Sequence, residues 1–354
     1  MYMNLSSAPT RHKDAVGVDF LCVCFIKCIA FSVCFCYNEA ISKFFVSERR
    51  KHMTNEQRLI NLNVPKGNID VVLDTDAYNE IDDQFAIAYL LRSTEKLNTR
   101  AIYAAPFHNS MSVGTADGME KSYAEILKLL GLMGIEKTVL RGSPCYLPDE
   151  NTPVDSPAAR DLAKRALEYS PEDPLYVVAI GAITNVASAI LLDRRVAENT
   201  VVVWLGGHAH HYHDTNEFNM AQDIAAARVI CKSGVPLVQL PCQGVVSGFY
   251  ISRPELEYWL VGKNEISDYL AKNTINAAEK YAAGMAWTRI IWDVTAVAWL
   301  LNDNGRFMMS RVVDAPIPNY DKMYESDPRG YPQRYVYYIH RDNLMRDLIA
   351  KLTK

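Results

Sequence analysis

The sequence predicts an α/β protein: a doubly wound, mainly parallel sheet with helices on both faces. Three observations carry this. Short, near-continuous runs of Val, Ile and Leu read as strands buried on both faces. Between several of them lie stretches of helical period, the alternation that joins parallel strands by crossover helices. Several of the runs also end in polar or glycine-rich segments, and in such sheets ligands sit outside the carboxyl ends of the strands.

The first strand is read at 69–73, followed by Asp74-Thr75-Asp76-Ala77-Tyr78-Asn79-Glu80-Ile81-Asp82-Asp83 and a helix at 83–92. The second, at 99–104, leads into Pro106-Phe107-His108-Asn109-Ser110 and a helix at 119–132. A third at 137–140 precedes a helix at 158–169. The fourth, at 175–180, runs into Gly181-Ala182-Ile183-Thr184-Asn185 and a helix at 185–192. The fifth, at 200–205, ends in Gly206-Gly207-His208, and after a helix at 224–232 the sixth, at 235–240, ends in Pro241-Cys242-Gln243-Gly244. Residues 253–290 read as a helix-rich insert, and 321–341, rich in tyrosine and charge, show no clear period.

With 354 residues, 49% of them hydrophobic, 22% charged and a net charge of −4, the chain has the balance of a soluble globular protein. A weakly acidic chain without a basic stripe argues against nucleic acid as the main partner. Five of the eight cysteines precede residue 40; Cys145, Cys231 and Cys242 are too few and too scattered for a disulfide framework. They are expected as small buried hydrophobes in a reducing compartment.

Residues 1–52 read as an extension to a catalytic domain at 53–354. The apolar run 20–37 approaches the length of a membrane span, with basic residues on both flanks. Against an anchor or signal peptide stand Lys27 in mid-run, a charge costing about 2.5–3.5 kcal/mol at a helix centre, and the lack of a small-residue cleavage site. Met53 opens an ordinary polar beginning. Two readings stand side by side: a dispensable or non-native extension to a cytoplasmic protein, or a targeting segment of a secretory or membrane-anchored one.

The loop after the first strand holds five acids in ten residues. Asp74 and Asp76 point the same way from an extended chain. Asp82 is expected as the N-cap of the next helix and Asp83 in its first turn, where the helix dipole favours negative charge by about 0.3–1 kcal/mol. That is too little to hold four crowded carboxylates, whereas a hard divalent cation with oxygen ligands can. An EF-hand is excluded, because Asn79 stands at the glycine position and the setting is strand–loop–helix.

The segment 71–88 resembles the N-terminal signature of the nucleoside hydrolases of inosine-uridine-preferring type: a strand, Asp-x-Asp-Pro-Gly-x-Asp-Asp, then an apolar helix. Five further matches follow in order: Asn109; Ala179 to Asn185, similar to Gly-Pro-Leu-Thr-Asn; Glu217-Phe218-Asn219; Asp223-Ile224-Ala225-Ala226-Ala227; and Trp292-Asp293, where a His-Asp would stand. The resemblance implies that family's fold and calcium-dependent hydrolysis of the N-glycosidic bond of ribonucleosides. It implies Ca2+ held by Asp76, Asp83, Asp293 and the carbonyl of Thr184, with Asp76 as general base. It further implies a nucleoside bound by Asp82, Asn109, Glu217 and Asn219, and a homo-oligomer, dimer or tetramer. Asp74 is expected to buttress the loop.

Glu217 and Asn219 have separate support: at i and i+2 of an extended segment they share one side, with Phe218 facing the core. The sequence departs from the family twice. Ala77-Tyr78-Asn79-Glu80 replaces Pro-Gly with two extra residues. Trp292 replaces a histidine linked to leaving-group protonation; an indole can stack on a base but not usefully protonate it. The stretch from His208 to His213 holds four of the eight histidines. It reads as a zinc site, a solvated loop or a base-side lid, and in the last case His210 protonates the departing base. Tyr258, Trp259, Tyr281 and Trp287 are expected to pack, with Tyr281 and Trp287 as candidates to stack on the base. Three further functions compete: the same chemistry on another ribosyl substrate, a phosphohydrolase, and a calcium-stabilised binding module without turnover.

Overall fold

Strand β1 (Ile69–Thr75) is the axis of the sheet. In the computed structural model, which describes residues 52–326 and 330–354, it pairs in parallel with β2 (Leu97–Ala104) on one side. On its other side it pairs in parallel with β4 (Leu175–Ala179). Outward from β2 lies β3 (Val139–Arg141), and outward from β4 lie β5 (Thr200–Leu205) and β6 (Leu237–Leu240), all parallel. The strand order therefore reverses between β1 and β4, which opens a crevice at their carboxyl ends. The segment 1–52, including the apolar run at 20–37, lies outside the described residues apart from its last one. Residues His52–Lys354 form one compact unit. Among the described residues no helix is long and apolar enough to cross a membrane.

The buried strands behave as their composition requires. Every residue of β4, β5 and β6 is buried. Alternate side chains feed two cores, one on each face: Leu73, Val178 and Val203 enter one, while Val72, Val177 and Trp204 enter the other. The helices Asp82–Leu91, Thr115–Met133, Pro157–Arg165, Thr184–Leu192 and Ile224–Ser233 lie where the periodicity places them. Local chemistry sets their ends. Ser156 accepts a hydrogen bond from the Ala159 amide ahead of a first-turn proline, and Asp223 caps Ile224–Ser233 through the Ala226 amide. Asp82 is not an N-cap: it is the first helical residue, after Ile81, which makes no side-chain cap bond.

The insert carries two helices, Arg253–Trp259 and Glu265–Ala282, and a small antiparallel pair, β7 (Tyr250–Ser252) with β8 (Thr288–Ile290). Beyond it, β9 (Met308–Asp314) and β12 (Pro332–Ile339) extend the sheet to eight strands, β12 parallel to β6 and β9 antiparallel at the edge. Between them β10 (Ile317–Pro318) pairs with β11 (Tyr324–Glu325). Cys231 and Cys242 are buried as expected, but Cys145 is exposed.

Helix Thr115–Met133 fixes the loop that carries Asn109, and its glycines distinguish contact from propensity. A Cβ at Gly118 would lie 2.0 Å from the Phe107 carbonyl oxygen, whereas one at Gly131 meets nothing within 4 Å. Gly118→Ala is expected to destabilise by about 1–3 kcal/mol through overpacking. Gly131→Ala is expected to stabilise by about 0.5–1 kcal/mol through helix propensity. Urea midpoints of the two variants check both signs; equal effects would refute the contact at Gly118.

Candidate functional site

The switch-point crevice is a cavity of about 300 Å³ whose floor is acidic: Asp76, Asp82, Asp83 and Asp293 all line it. Asp76 follows β1 directly, Asp82 and Asp83 open the next helix, and Asp293 precedes helix Val294–Leu300. One carboxylate oxygen from each of Asp82, Asp83 and Asp293 lies within 4.8 Å of the others. Asp76 belongs to the same electrostatic group, acting on Asp293 and acted on by Asp82 and Asp83. All four are essentially inaccessible to solvent. At an effective dielectric of about 20, each such pair of like charges repels by about 3–4 kcal/mol. Three pairs together rival the whole stability of a typical domain, about 5–15 kcal/mol.

The carboxyls respond accordingly. Burial, then the charges of Asp83 and Asp82, holds Asp76 well above the ordinary carboxylate range. Burial and then Asp82, Asp83 and Asp76 do the same to Asp293. Asp82 is raised by burial and then by Glu80 and Asp83, with Arg289 pulling it back. Burial pushes Asp83 up to about 7 against a 2.5 Å hydrogen bond from the Thr75 hydroxyl. Both oxygens of Asp76 and Oδ1 of Asp82 are buried with no hydrogen-bond partner. An all-oxygen cluster with orphaned acceptors fits a hard cation such as calcium or magnesium; among the described residues the group that could hold an ion is three carboxylates, not the nitrogen and sulfur set zinc prefers.

Scaffolding surrounds this floor. Asp74 is not among the residues lining the cavity: its Oδ1 accepts a 2.8 Å bond from Asn185 Nδ2, whose Oδ1 in turn receives the Ser143 amide and hydroxyl, while Asp74 Oδ2 is buried without a partner. Gly181 lets the end of β4 approach: a Cβ there would lie 3.1 Å from the Asp76 carboxyl. The lengthened first loop turns through an Asn79 amide to Asp76 carbonyl bond. It places Asn79 and Glu80 in the cavity wall. Asn109 Nδ2 donates to Asn79 Oδ1 at 2.6 Å, so Asn109 meets the loop insertion directly. Glu80 is paired at 3.0 Å with Arg289 of β8, whose guanidinium also donates to the Tyr281 hydroxyl.

Several expectations are corrected here. Thr184 is not among the cavity walls: it begins a helix, so its carbonyl enters the helical ladder, and its hydroxyl donates to Asp223. The strand-end residue in the wall is Ile180. Glu217 and Asn219 do line the cavity, though not by strand alternation. Glu217 is the N-cap of the short helix Phe218–Gln222, and Phe218 is 38% exposed and itself lines the cavity rather than the core. The Glu217 carboxylate accepts from the amides of Gly207, Asn219 and Met220. Asn219 Nδ2 donates to the carbonyls of Ile180 and Leu205.

His210 does not line the cavity. Its Nε2 lies 2.9 Å from Gln239 Oε1 and its ring packs on Tyr335 with centroids 4.2 Å apart. The histidine in the wall is His208, together with Trp292, Asn216, Cys242 and Gln243. Tyr281 and Trp287 do not line it either. A larger hollow of about 740 Å³ lies at the opposite, amino ends of the strands, beside Asn68, Asp70 and Asn98, where no comparable cluster converges.

Comparison with known proteins agrees with this geometry. Residues 71–327 match the family model described as inosine-uridine preferring nucleoside hydrolase. A plant nucleoside hydrolase superposes with a TM-score of 0.65 at 17% identity, covering 80% of this chain and 99% of its own. A purine-preferring ribonucleoside hydrolase from Gardnerella vaginalis gives 0.64 at 18%, covering 80% and 98%. The type III effector protein XopQ, solved with adenosine diphosphate ribose, gives 0.60 at 18%, covering 84% and 96%. At these identities the likeness speaks for the fold. No curated protein sequence matches the chain.

The raised carboxyls give a pH signature. Between the ordinary 3.8 and about 7, folded Asp83 keeps a proton that the unfolded chain has released. Stability of the metal-free protein therefore falls as pH rises through that window. Cation binding needs the deprotonated form, so the stabilisation by added calcium should grow over the same range. Thermal melts in chelator and in calcium from pH 5 to 8 check this. A melting temperature in chelator that rises towards pH 8, or a calcium increment independent of pH, would contradict the cluster's assignment.

Proposed function

This chain belongs to the inosine-uridine preferring nucleoside hydrolases, and from that premise we propose that its domain at 53–354 cleaves the N-glycosidic bond of ribonucleosides with calcium in the acid cluster and Asp76 as general base. The observation that carries the reading is the set of orphaned, buried carboxylate oxygens at the switch point. Asp76, Asp83 and Asp293 would hold the cation, joined by the strand-end carbonyl of Ile180 in place of that of Thr184. When bound, calcium supplies a Lewis acid that lowers the pKa of its water.

The chain's own groups do the rest. Asp76 removes a proton from the attacking water. The carboxylates stand fixed around the sugar, so positive charge developing at the anomeric carbon meets negative charge that need not reorganise. Asp82, Asn109, Glu217 and Asn219 line the ribose side. Glu217 is held by three amides and the Cys242 side chain, and Asn219 is tied by its Nδ2 to two carbonyls, so the Asn219 Oδ1 is pre-oriented for a hydroxyl group. Trp292 offers an indole face for a base.

A second reading, the same chemistry on another ribosyl compound, is favoured by the longer first loop, which puts Asn79 and Glu80 in the wall. Full-length protein with calcium should release free ribose from inosine or uridine, and chelator should abolish this. Asp76→Asn is expected to lower the rate by about 10²–10⁴-fold. Release from other ribosyl compounds but neither nucleoside would favour the second reading; no release from any, with calcium still raising the melting temperature, would favour a binding module.

A further inference from the structure

His208 sits in the cavity wall in a backbone frame built to hold it. It follows Gly207, which has φ +77° and no room for a side chain, since a Cβ there would come within 2.2 Å of the Tyr324 hydroxyl. The Gly207 amide donates to Glu217 Oε2 at 2.8 Å and its carbonyl accepts from the Cys242 amide at 2.8 Å. On the His208 backbone, the amide donates to the Thr215 hydroxyl at 3.3 Å and the carbonyl accepts from Tyr324 at 2.9 Å. Its ring lies tilted against Tyr212 with centroids 5.5 Å apart.

The imidazole itself is left unsatisfied. Nδ1 is buried and has no hydrogen-bond partner. An orphaned buried polar group costs about 1–3 kcal/mol, and the neighbouring histidine shows what satisfaction looks like: His210 Nε2 is bonded to Gln239. Burial lowers the His208 pKa from its ordinary value, Asp214 opposes that shift and His213 adds to it. The cavity thus has an acidic floor and, apart from it, one imidazole with a free nitrogen. The residue before Asp293 is Trp292, which cannot supply a proton.

We infer that His208 is the proton donor to the leaving base, touching it through Nδ1. The inference rests on the hydrolase reading above. As the C1′–N bond breaks, its electron pair departs with the base, and the imidazolium proton neutralises that nitrogen or its conjugated partner. Water supplies hydroxide to C1′ and its other proton to Asp76, from which solvent returns it to the imidazole. The sum is nucleoside plus water giving ribose plus base.

The test separates proton donation from architecture by changing the leaving group. Wild type, His208→Ala and His208→Asn, which keeps an N–H near the Nδ1 position, are compared in calcium on inosine and on 4-nitrophenyl riboside. The latter's phenolate departs without a proton. Both variants should lose about 10²–10⁴-fold in kcat on inosine with little change in KM, and keep the aryl riboside rate to within about threefold. Their calcium-induced rise in melting temperature should match wild type. Equal losses on both substrates, or none on inosine, would overturn the assignment to His208. A wild type inactive on both substrates would instead overturn the hydrolase reading.

Discussion

The mutual repulsion of buried carboxylates at the end of β1 is the constraint around which this molecule is organised. Asp76, Asp82 and Asp83 share one loop, and folding brings Asp293 to them from over two hundred positions away. Left charged and unpaired they would cancel much of what the two cores supply. The surrounding structure does not neutralise them: Thr75 gives Asp83 a single bond, and both Asp76 oxygens have none. Side chains that could have satisfied the acids serve the scaffold. Asn185 holds Asp74 and the β2 and β3 ends, and Asn219 holds the ends of β4 and β5. The carboxylates left bare in this way form a group that could hold a cation.

How much of this was legible depended on whether a local rule governed the residue. The six parallel strands were readable because burial on both faces demands unbroken apolar runs, and no other element of that length does. The acid loop was readable because crowding is a property of sequence. Asp293, over two hundred positions away, entered only through family resemblance; nothing in its neighbourhood marks it. β12 was hidden because its outward faces carry tyrosines and its inward ones include Gln333, so polarity does not alternate although burial partly does. Glu217 lines the cavity, but not by the alternation read from the sequence. The alternation rule needs an extended chain, and the segment turns helical at Phe218 because Glu217 caps it. Thr184 and His210 were misplaced because each motif is also a structural device, a helix start in one case and an interior contact with Gln239 and Tyr335 in the other.

The lengthened first loop shows how a departure from a motif is absorbed. Two extra residues bring Glu80 to a site already crowded with negative charge, and its charge raises Asp82 further. Arg289 meets it with a 3.0 Å ion pair and a favourable field on Asp82. Arg289 belongs to β8, four residues before Asp293, so the insertion and its counter-ion are carried on the two segments that supply the acid floor. The loop tip is therefore pinned rather than loose, and Asn79 can offer Asn109 a fixed acceptor.

The same logic explains why the β10–β11 turn matters to a site it does not line. Tyr324 of β11 donates to the His208 carbonyl and accepts from Gln239, and Gln239 also donates to the Gly206 carbonyl. One hydroxyl thus joins the β5 loop, β6 and a hairpin more than a hundred residues later. A left-handed glycine beside a half-buried histidine would be a weak point without such clamps, because the backbone there has few other bonds to lose. With them, a 3.3 Å amide contact to Thr215 is enough to fix where His208 begins, and packing on Tyr212 fixes where its ring ends. Precision on that side of the cavity comes from hydroxyl and amide partners together with the Glu217 carboxylate, which accepts from the Gly207 amide.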